Sequence, residues 1–285
     1  MEPKKIVYLN GKFLKAEEAL ISAQDPGFLL GLGLFETMRC FQGRIIHLDW
    51  HLARIKNAAK LIHLDLPLTA AGLKNKIIAT LRLNQLQDVQ VRLTLWKSLS
   101  GTGVFILVKE YSPFTRQKYQ RGFSAVVSSF RQDENSLLTR IKSTNRLIFN
   151  LSLAQAKKRA FDEAIILNHR GLITEGARSN IFFRSGNTLF TPALSNGCLE
   201  GITRRVIFNL AKKKQIKICE GDFTLEDLQS AEEAFLTNSL IGVMPLTSLE
   251  NKAIGNGKIG KTSKSFLEAY LLLLKNDTKK NIFTI

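Results

Sequence analysis

The chain has 285 residues, 45% of them hydrophobic and 23% charged, with a formal net charge of +17. These are the proportions of an ordinary globular protein with one large domain or two medium ones, not of a disordered or fibrous chain. Its three cysteines, Cys40, Cys198 and Cys219, lie far apart with no Cys-X-X-Cys pair and no Cys/His cluster. That pattern disfavours a disulfide framework or a zinc site, so no metal is expected, and it suits a reducing cytosol.

The start, "MEPKKIVYLNG", lacks the apolar stretch of a secretory signal, and "FLEAYLLLL" (266 to 274) is too short to span a bilayer. A cytoplasmic protein without a membrane partner is expected. The basic residues are scattered as Lys4-Lys5, Lys157-Lys158, Lys212-Lys213-Lys214 and Lys279-Lys280, outside any nucleic-acid motif or set of stacking aromatics. No nucleic-acid partner is expected, and the excess charge is compatible with an anionic small-molecule substrate.

In chain order, "IVYLNGKFL" alternates around an Asn-Gly turn and predicts a hairpin. "FETMRC" reads as a strand. "LDWHLARIKNAAKLIHL" keeps Leu52, Ile55, Ala59 and Ile62 at helical spacing, with Asp49 available as its cap. A second helix, "AAGLKNKIIATLRLNQL", precedes two strands, "VQVRLTLWKS" and "GVFILVKEY". The Ser, Pro and basic residues between 112 and 122 mark the best domain boundary, giving a small domain over 1–115 and a larger one over 122–285. The second half predicts the strand "FSAVVSSF", the helix "RLIFNLSLAQAKKRA" capped by Thr144 or Asn145, and strands in "EAIILN", "GLI", "NIFF" and "TLFTPAL". It continues with the helix "TRRVIFNLAKKK", the strand "QIKICEG", the helix "LEDLQSA" and the strand "EAFLTNS". Mixed elements without regular βα alternation predict an α+β fold.

Four places invite a chemical reading. Glu175, in "ITEGARSNIFF", sits beside apolar strands, where an unpaired carboxylate is costly; Arg178 or water is the bland partner. "GITRRVIFNLAKK" (201 to 213) is a Gly-led turn opening into a helix, suited to phosphate but also to an ordinary Thr-capped helix start. "GLGLFE" (31 to 36) lacks the third glycine of a dinucleotide fingerprint. Lys142, in "TRIKSTNRL", is an ordinary surface lysine unless desolvated, in which case its amine becomes a nucleophile.

Together and in order, "DPGFLLGLGLFETMR", "HLARI", "IKSTNRL", "DEAIILNHRGLITEGARSNIFF", "LFTP…LEGITRR" and "FLTNSLIGVMPL" resemble the fold-type IV family of pyridoxal-phosphate enzymes. That family contains branched-chain aminotransferases, D-amino-acid aminotransferases and aminodeoxychorismate lyases. The resemblance implies a small α+β domain and a larger domain with a β-barrel-like sheet and flanking helices, pyridoxal 5′-phosphate between them, and a homodimer. Lys142 matches the lysine that carries the cofactor on its amine and then moves protons; Glu175 matches the partner of the pyridine nitrogen. Arg54 matches the phosphate-binding arginine, and Ile202 and Thr203 match the helix start that cradles the phosphate. Ser239 falls where the family often places a further hydroxyl near phosphate or substrate. Asn180 matches a structural asparagine.

The family commonly has Arg and Asp where Pro26 and Leu32 stand here, which puts substrate specificity in question at Leu32. Its transaminases usually offer a small Gly- or Thr-rich turn followed by Glu-Ile for the substrate carboxylate. Here Asn238, Ser239 and Leu240 precede Gly242-Val243-Met244-Pro245, which looks more like the lyases, as does "NRL" after Lys142. The implied activity is conversion of 4-amino-4-deoxychorismate to 4-aminobenzoate and pyruvate, a step of folate biosynthesis. The alternative is a branched-chain or D-amino-acid aminotransferase.

Overall fold

The computed structural model describes residues 5–279, and the chain forms two compact units. Of the described residues, the first comprises 5–112, the segment Ile141–Asn145 and 274–279. The second comprises Pro113–Arg140 and Arg146–Leu273.

In the first unit, β1 (Ile6–Leu9) and β2 (Lys12–Lys15) form the expected hairpin; Asn10 and Gly11 take positive φ angles at the turn. The one-turn α1 (Pro26–Leu29) precedes β3 (Gly33–Phe41) and β4 (Arg44–Ile45). Helices α2 (Leu48–Leu61) and α3 (Ala70–Asn84) follow, then β5 (Val89–Ser98) and β6 (Gly101–Glu110). The antiparallel sheet runs β2-β1-β6-β5-β3-β4. Strand alternation places Leu34, Met38, Val91, Leu93 and Leu95 on one face, where α2 and α3 bury them with Leu52, Ile55, Leu73 and Ile77.

The second unit begins with α4 (Arg116–Arg121), β7 (Phe123–Gln132), α5 (Leu137–Arg140) and α6 (Leu147–Lys158). Strands β8 (Glu163–Asn168), β9 (Ile173–Gly176), β10 (Asn180–Ser185) and β11 (Thr188–Pro192) lead to α7 (Ile202–Lys213). Then come β12 (Lys217–Gly221), α8 (Leu225–Gln229), β13 (Glu233–Asn238), β14 (Gly242–Leu249), β15 (Lys252–Ala253) and α9 (Lys261–Lys279). The main path of the mixed sheet is β12-β11-β10-β13-β14-β7-β8-β9, with β15 on β14. Ile173 of β9 and Ile181 and Phe183 of β10 share one buried cluster although four strands separate β9 from β10 along that path. At roughly 4.8 Å per strand a flat sheet would hold them too far apart, so the sheet curls around this cluster. The fold is α+β with a barrel-like sheet, as expected.

Several local expectations need correction. Helix α2 is capped by His47 in a left-handed conformation, and Asp49 lies within the first turn and pairs with Lys74 across 3.0 Å. Helix α6 starts after Arg146, not at Thr144 or Asn145, because both of those side chains donate to the Gly31 carbonyl. Helix α7 is capped by Gly201 rather than Thr203. The contiguous division at 115–122 also needs amending, since Ile141–Asn145 belongs to the first unit. Backbone bonds hold it there: Phe35 N donates to Lys142 O and Thr144 N to Gly33 O, each at 2.9 Å. Among the described residues no helix is long and apolar enough to cross a membrane.

Candidate active site

Strand β3 of the first unit carries chemistry on both faces. Glu36 points into the helix-covered face with Leu34 and Met38 and is wholly buried. A carboxylate there requires cations or donors. Helix α2 supplies them from two residues one turn apart: Arg54 Nε and Nη2 donate to Glu36 Oε1 and Oε2, each at 2.7 Å, and His51 Nδ1 lies 2.6 Å from Oε2. Burial pushes the Glu36 carboxyl up, but the Arg54 and His51 charges and hydrogen bonds outweigh it and hold it down at about 2, from 4.5. Burial pushes His51 down further than Glu36 pulls it up, and facing a carboxylate its Nδ1 is the donor.

On the opposite face, Phe35 has two cations beside its ring. The Lys142 ammonium lies 4.7 Å from the ring centroid and the Arg92 guanidinium 4.0 Å. Lys142 is half-buried, and its position is set by the backbone bonds that join residues 142–144 to 33–35. Gly31, at φ +68°, meets the Asn145 side chain where a Cβ would stand, so only glycine lets the two segments approach this closely. The intervening Leu32 is exposed, and its carbonyl accepts from Lys97 N at 2.9 Å. Burial pushes Arg92 down, and its Nε donates to Thr94 Oγ1 at 3.2 Å.

The second unit holds a separate polar cup. Glu175 is the penultimate residue of β9 and is 6% exposed; its Oε2 accepts from Leu199 N at 3.2 Å and from Asn180 Nδ2 at 3.4 Å. Arg178, the bland sequence partner, is exposed, and its amide turns to the neighbouring buried Glu163. Glu163 closes the 176–179 turn by also accepting from Ser179 Oγ at 3.0 Å. Cys198 lies near Glu175; burial and then that negative charge push its thiol up to about 12, so it is inert at neutral pH.

Helix α7 opens beside Asn180. Gly201 caps it without a side-chain bond, and a Cβ at Gly201 would collide with Asn180 Oδ1. Among the described residues the Ile202 and Thr203 amides donate to no protein acceptor, as expected of a helix start awaiting a partner. Arg204 is buried in the same first turn, where its guanidinium pairs with Glu220 and donates to Pro192 O. Thr237 pairs across strands with Asn180; its hydroxyl is buried and has no protein partner. Free amides at a helix start and an orphan hydroxyl on the strand beside Asn180 fit an oxyanion such as a phosphate ester.

Asn238 ends β13 and organises the next turn. Its Oδ1 accepts from the amides of both Leu240 and Ile241 at 2.9 Å, while its Nδ2 donates to Arg178 O at 3.0 Å. Ser239 and Leu240 are half-buried in this turn.

Of the expected site residues, Lys142, Arg54 and Leu32 lie in the first unit, and Glu175, Ile202, Thr203, Asn238, Ser239 and Leu240 in the second. Sequence reading missed Glu36, His51, Arg92 and Thr237. The His51/Arg54 spacing of three is a visible signal that two polar groups share a helix face, but their partner lies on a strand.

The Glu36 geometry carries a pH expectation. A folded-state value depressed to about 2 contributes stability that is complete above about 4.5 and is lost as pH falls toward about 2. The stability advantage of the parent over Glu36→Gln, measured by thermal melting between those limits, should therefore shrink with falling pH. An advantage that stays constant to pH 2 would contradict the depressed value.

The chain belongs to the class IV aminotransferase family: the family's sequence signature, described as amino-transferase class IV, matches residues 33–249. A putative branched-chain-amino-acid aminotransferase from Methanocaldococcus jannaschii is 32% identical, over 93% of this chain and 94% of that protein. The aminodeoxychorismate lyase of Bacillus subtilis is 30% identical, over 97% of this chain and 96% of that protein. Among solved structures, the Escherichia coli branched-chain amino acid aminotransferase superposes with a TM-score of 0.92 at 25% identity, covering 98% of this chain and 97% of that one.

Proposed function

We propose that the protein is a pyridoxal-phosphate-dependent lyase that converts 4-amino-4-deoxychorismate to 4-aminobenzoate and pyruvate. Identities of 32% and 30% to an aminotransferase and a lyase do not choose between the two activities. The observation that carries the proposal is the turn after β13. Transaminases of the family usually use a small turn there for the substrate carboxylate; here Asn238 Oδ1 already takes the Leu240 and Ile241 amides. A carboxylate arriving at these amides would have to displace an existing pair of hydrogen bonds, which removes much of the gain.

Pyridoxal phosphate is the family's cofactor and, when bound, supplies an electron sink for the negative charge left by proton removal. Lys142 is assigned as the residue that carries the cofactor and, once released, takes the proton from the amine-bearing carbon of the substrate. Glu175, buried and held by Asn180 and Leu199, is assigned to the pyridine nitrogen, where its charge would favour the protonated ring. By the family match, Arg54 and the Ile202 and Thr203 amides are each assigned to the phosphate, and Ser239 to phosphate or substrate. Arg92, half-buried beside the Phe35 ring that Lys142 also meets, provides a cation for an anionic substrate. Loss of the enolpyruvyl ether oxygen then yields pyruvate and an aromatic ring, and the atoms of the two products sum to the substrate.

The test is a side-by-side assay. Incubation with 4-amino-4-deoxychorismate should form 4-aminobenzoate, while branched-chain and D-amino acids with 2-oxoglutarate should turn over far more slowly. Turnover confined to the amino acids would overturn the lyase in favour of the aminotransferase, the reading that the M. jannaschii relative favours, and Leu32 would then be the first residue to examine for specificity.

A further inference from the structure

We propose that Glu36 and His51 are positioning residues for Arg54, fixing which edge of its guanidinium is offered to the phosphate ester of the cofactor. The inference rests on the assignment of Arg54 to the phosphate and extends it to two residues that would not themselves touch the cofactor. An arginine at the end of a flexible side chain loses rotamer freedom when it binds an anion, and prior anchoring reduces that loss. Here the anchoring is explicit. The Nε/Nη2 edge is engaged in a two-point fork with Glu36, both bonds at 2.7 Å, which fixes the plane and direction of the guanidinium. Arg54 retains 14% side-chain exposure, whereas Glu36 and His51 are at 1%, so the guanidinium is the member of the trio that reaches outward.

His51 sets the carboxylate in turn. Its Nδ1 lies 2.6 Å from the same Oε2 that receives Arg54 Nη2, and both residues project from one face of α2. Glu36 sits mid-strand in β3 with the buried Leu34 and Met38 on the same face, so the anchor has little room to shift. The trio thus ties the guanidinium to a strand and a helix at once.

A purely electrostatic role predicts the opposite sign. Glu36 is a negative charge beside an anion-binding arginine, and neutralising it would tighten phosphate binding if charge alone mattered. Positioning predicts looser binding, because glutamine accepts at one atom only and releases half of the fork.

The experiment resolves the full-length protein from its cofactor and titrates it with pyridoxal 5′-phosphate, with phosphate-free pyridoxal, and with inorganic phosphate as competitor. Glu36→Gln and His51→Leu should each weaken pyridoxal 5′-phosphate and inorganic phosphate about tenfold, the equivalent of about one hydrogen bond, and leave pyridoxal within about twofold. His51→Asn, whose amide nitrogen can stand where Nδ1 stands, should recover most of the loss. Unchanged or tighter phosphate binding in Glu36→Gln, with Arg54→Ala still impaired, would overturn the positioning role alone. Equal losses for pyridoxal and its phosphate would reduce the trio to a structural tie and overturn it too. If Glu36→Gln does not fold, the His51 pair decides: equal binding by His51→Leu and His51→Asn overturns the proposal. Arg54→Ala binding like the parent would remove the phosphate assignment, and this inference with it, while leaving product formation to judge the lyase separately.

Discussion

Lys142→Ala should fold like the parent and lose turnover by at least about 10³-fold, the scale of a lost nucleophile and proton carrier. Folding should survive because the segment is held through its backbone: Phe35 N reaches Lys142 O and Thr144 N reaches Gly33 O, both at 2.9 Å. Alanine keeps both of those backbone bonds while removing the amine and its contact on the Phe35 ring. The measurement is steady-state turnover alongside a thermal melt, with borohydride reduction and peptide mapping of the parent. A label on another lysine, or a variant that turns over like the parent, would contradict the assignment of Lys142.

Glu175→Gln should retain bound cofactor and lower kcat/KM by about 10²-fold or more, as expected when one preorganised charge is removed from a buried site. The substitution is nearly isosteric, and the acceptor that serves Leu199 N and Asn180 Nδ2 can be kept as the amide oxygen. On this assignment it loses the negative charge that would hold a proton on the pyridine nitrogen, so proton removal by Lys142 would slow although the site stays filled. Visible absorbance of the purified variant, compared with its turnover, separates the two effects. Full activity in Glu175→Gln would show that the carboxylate charge is not used.

Much of this was legible in the sequence because it depends on local periodicity. Strict alternation in "VQVRLTLWKS" predicts β5 over the residues it occupies, and Asn-Gly predicts the β1/β2 turn. The Gly-led start of α7 reads as an anion site because free amides follow from any helix start without a side-chain cap. The errors arise where a side chain had two possible partners. Thr144 and Asn145 are good helix caps by type, but the Gly31 carbonyl claims them, and no pattern in residues 142–147 signals a partner 113 or 114 positions away. Glu36 was hidden for the same reason. In "GLFETMRC" it looks like one polar position of a strand, and only the approach of α2 shows that its neighbours are His51 and Arg54. Asn238 departs visibly from the transaminase pattern, but its grip on two amides depends on the turn geometry.

The most direct measurement counts pyruvate per active site with 4-amino-4-deoxychorismate supplied alone, with no keto acid present, using a coupled dehydrogenase. Elimination restores the starting enzyme in each cycle, so the lyase account predicts many equivalents of pyruvate per site and matching 4-aminobenzoate. Pyruvate absent or halted at one equivalent or less, with sustained turnover only when an amino acid and 2-oxoglutarate are added together, would contradict it.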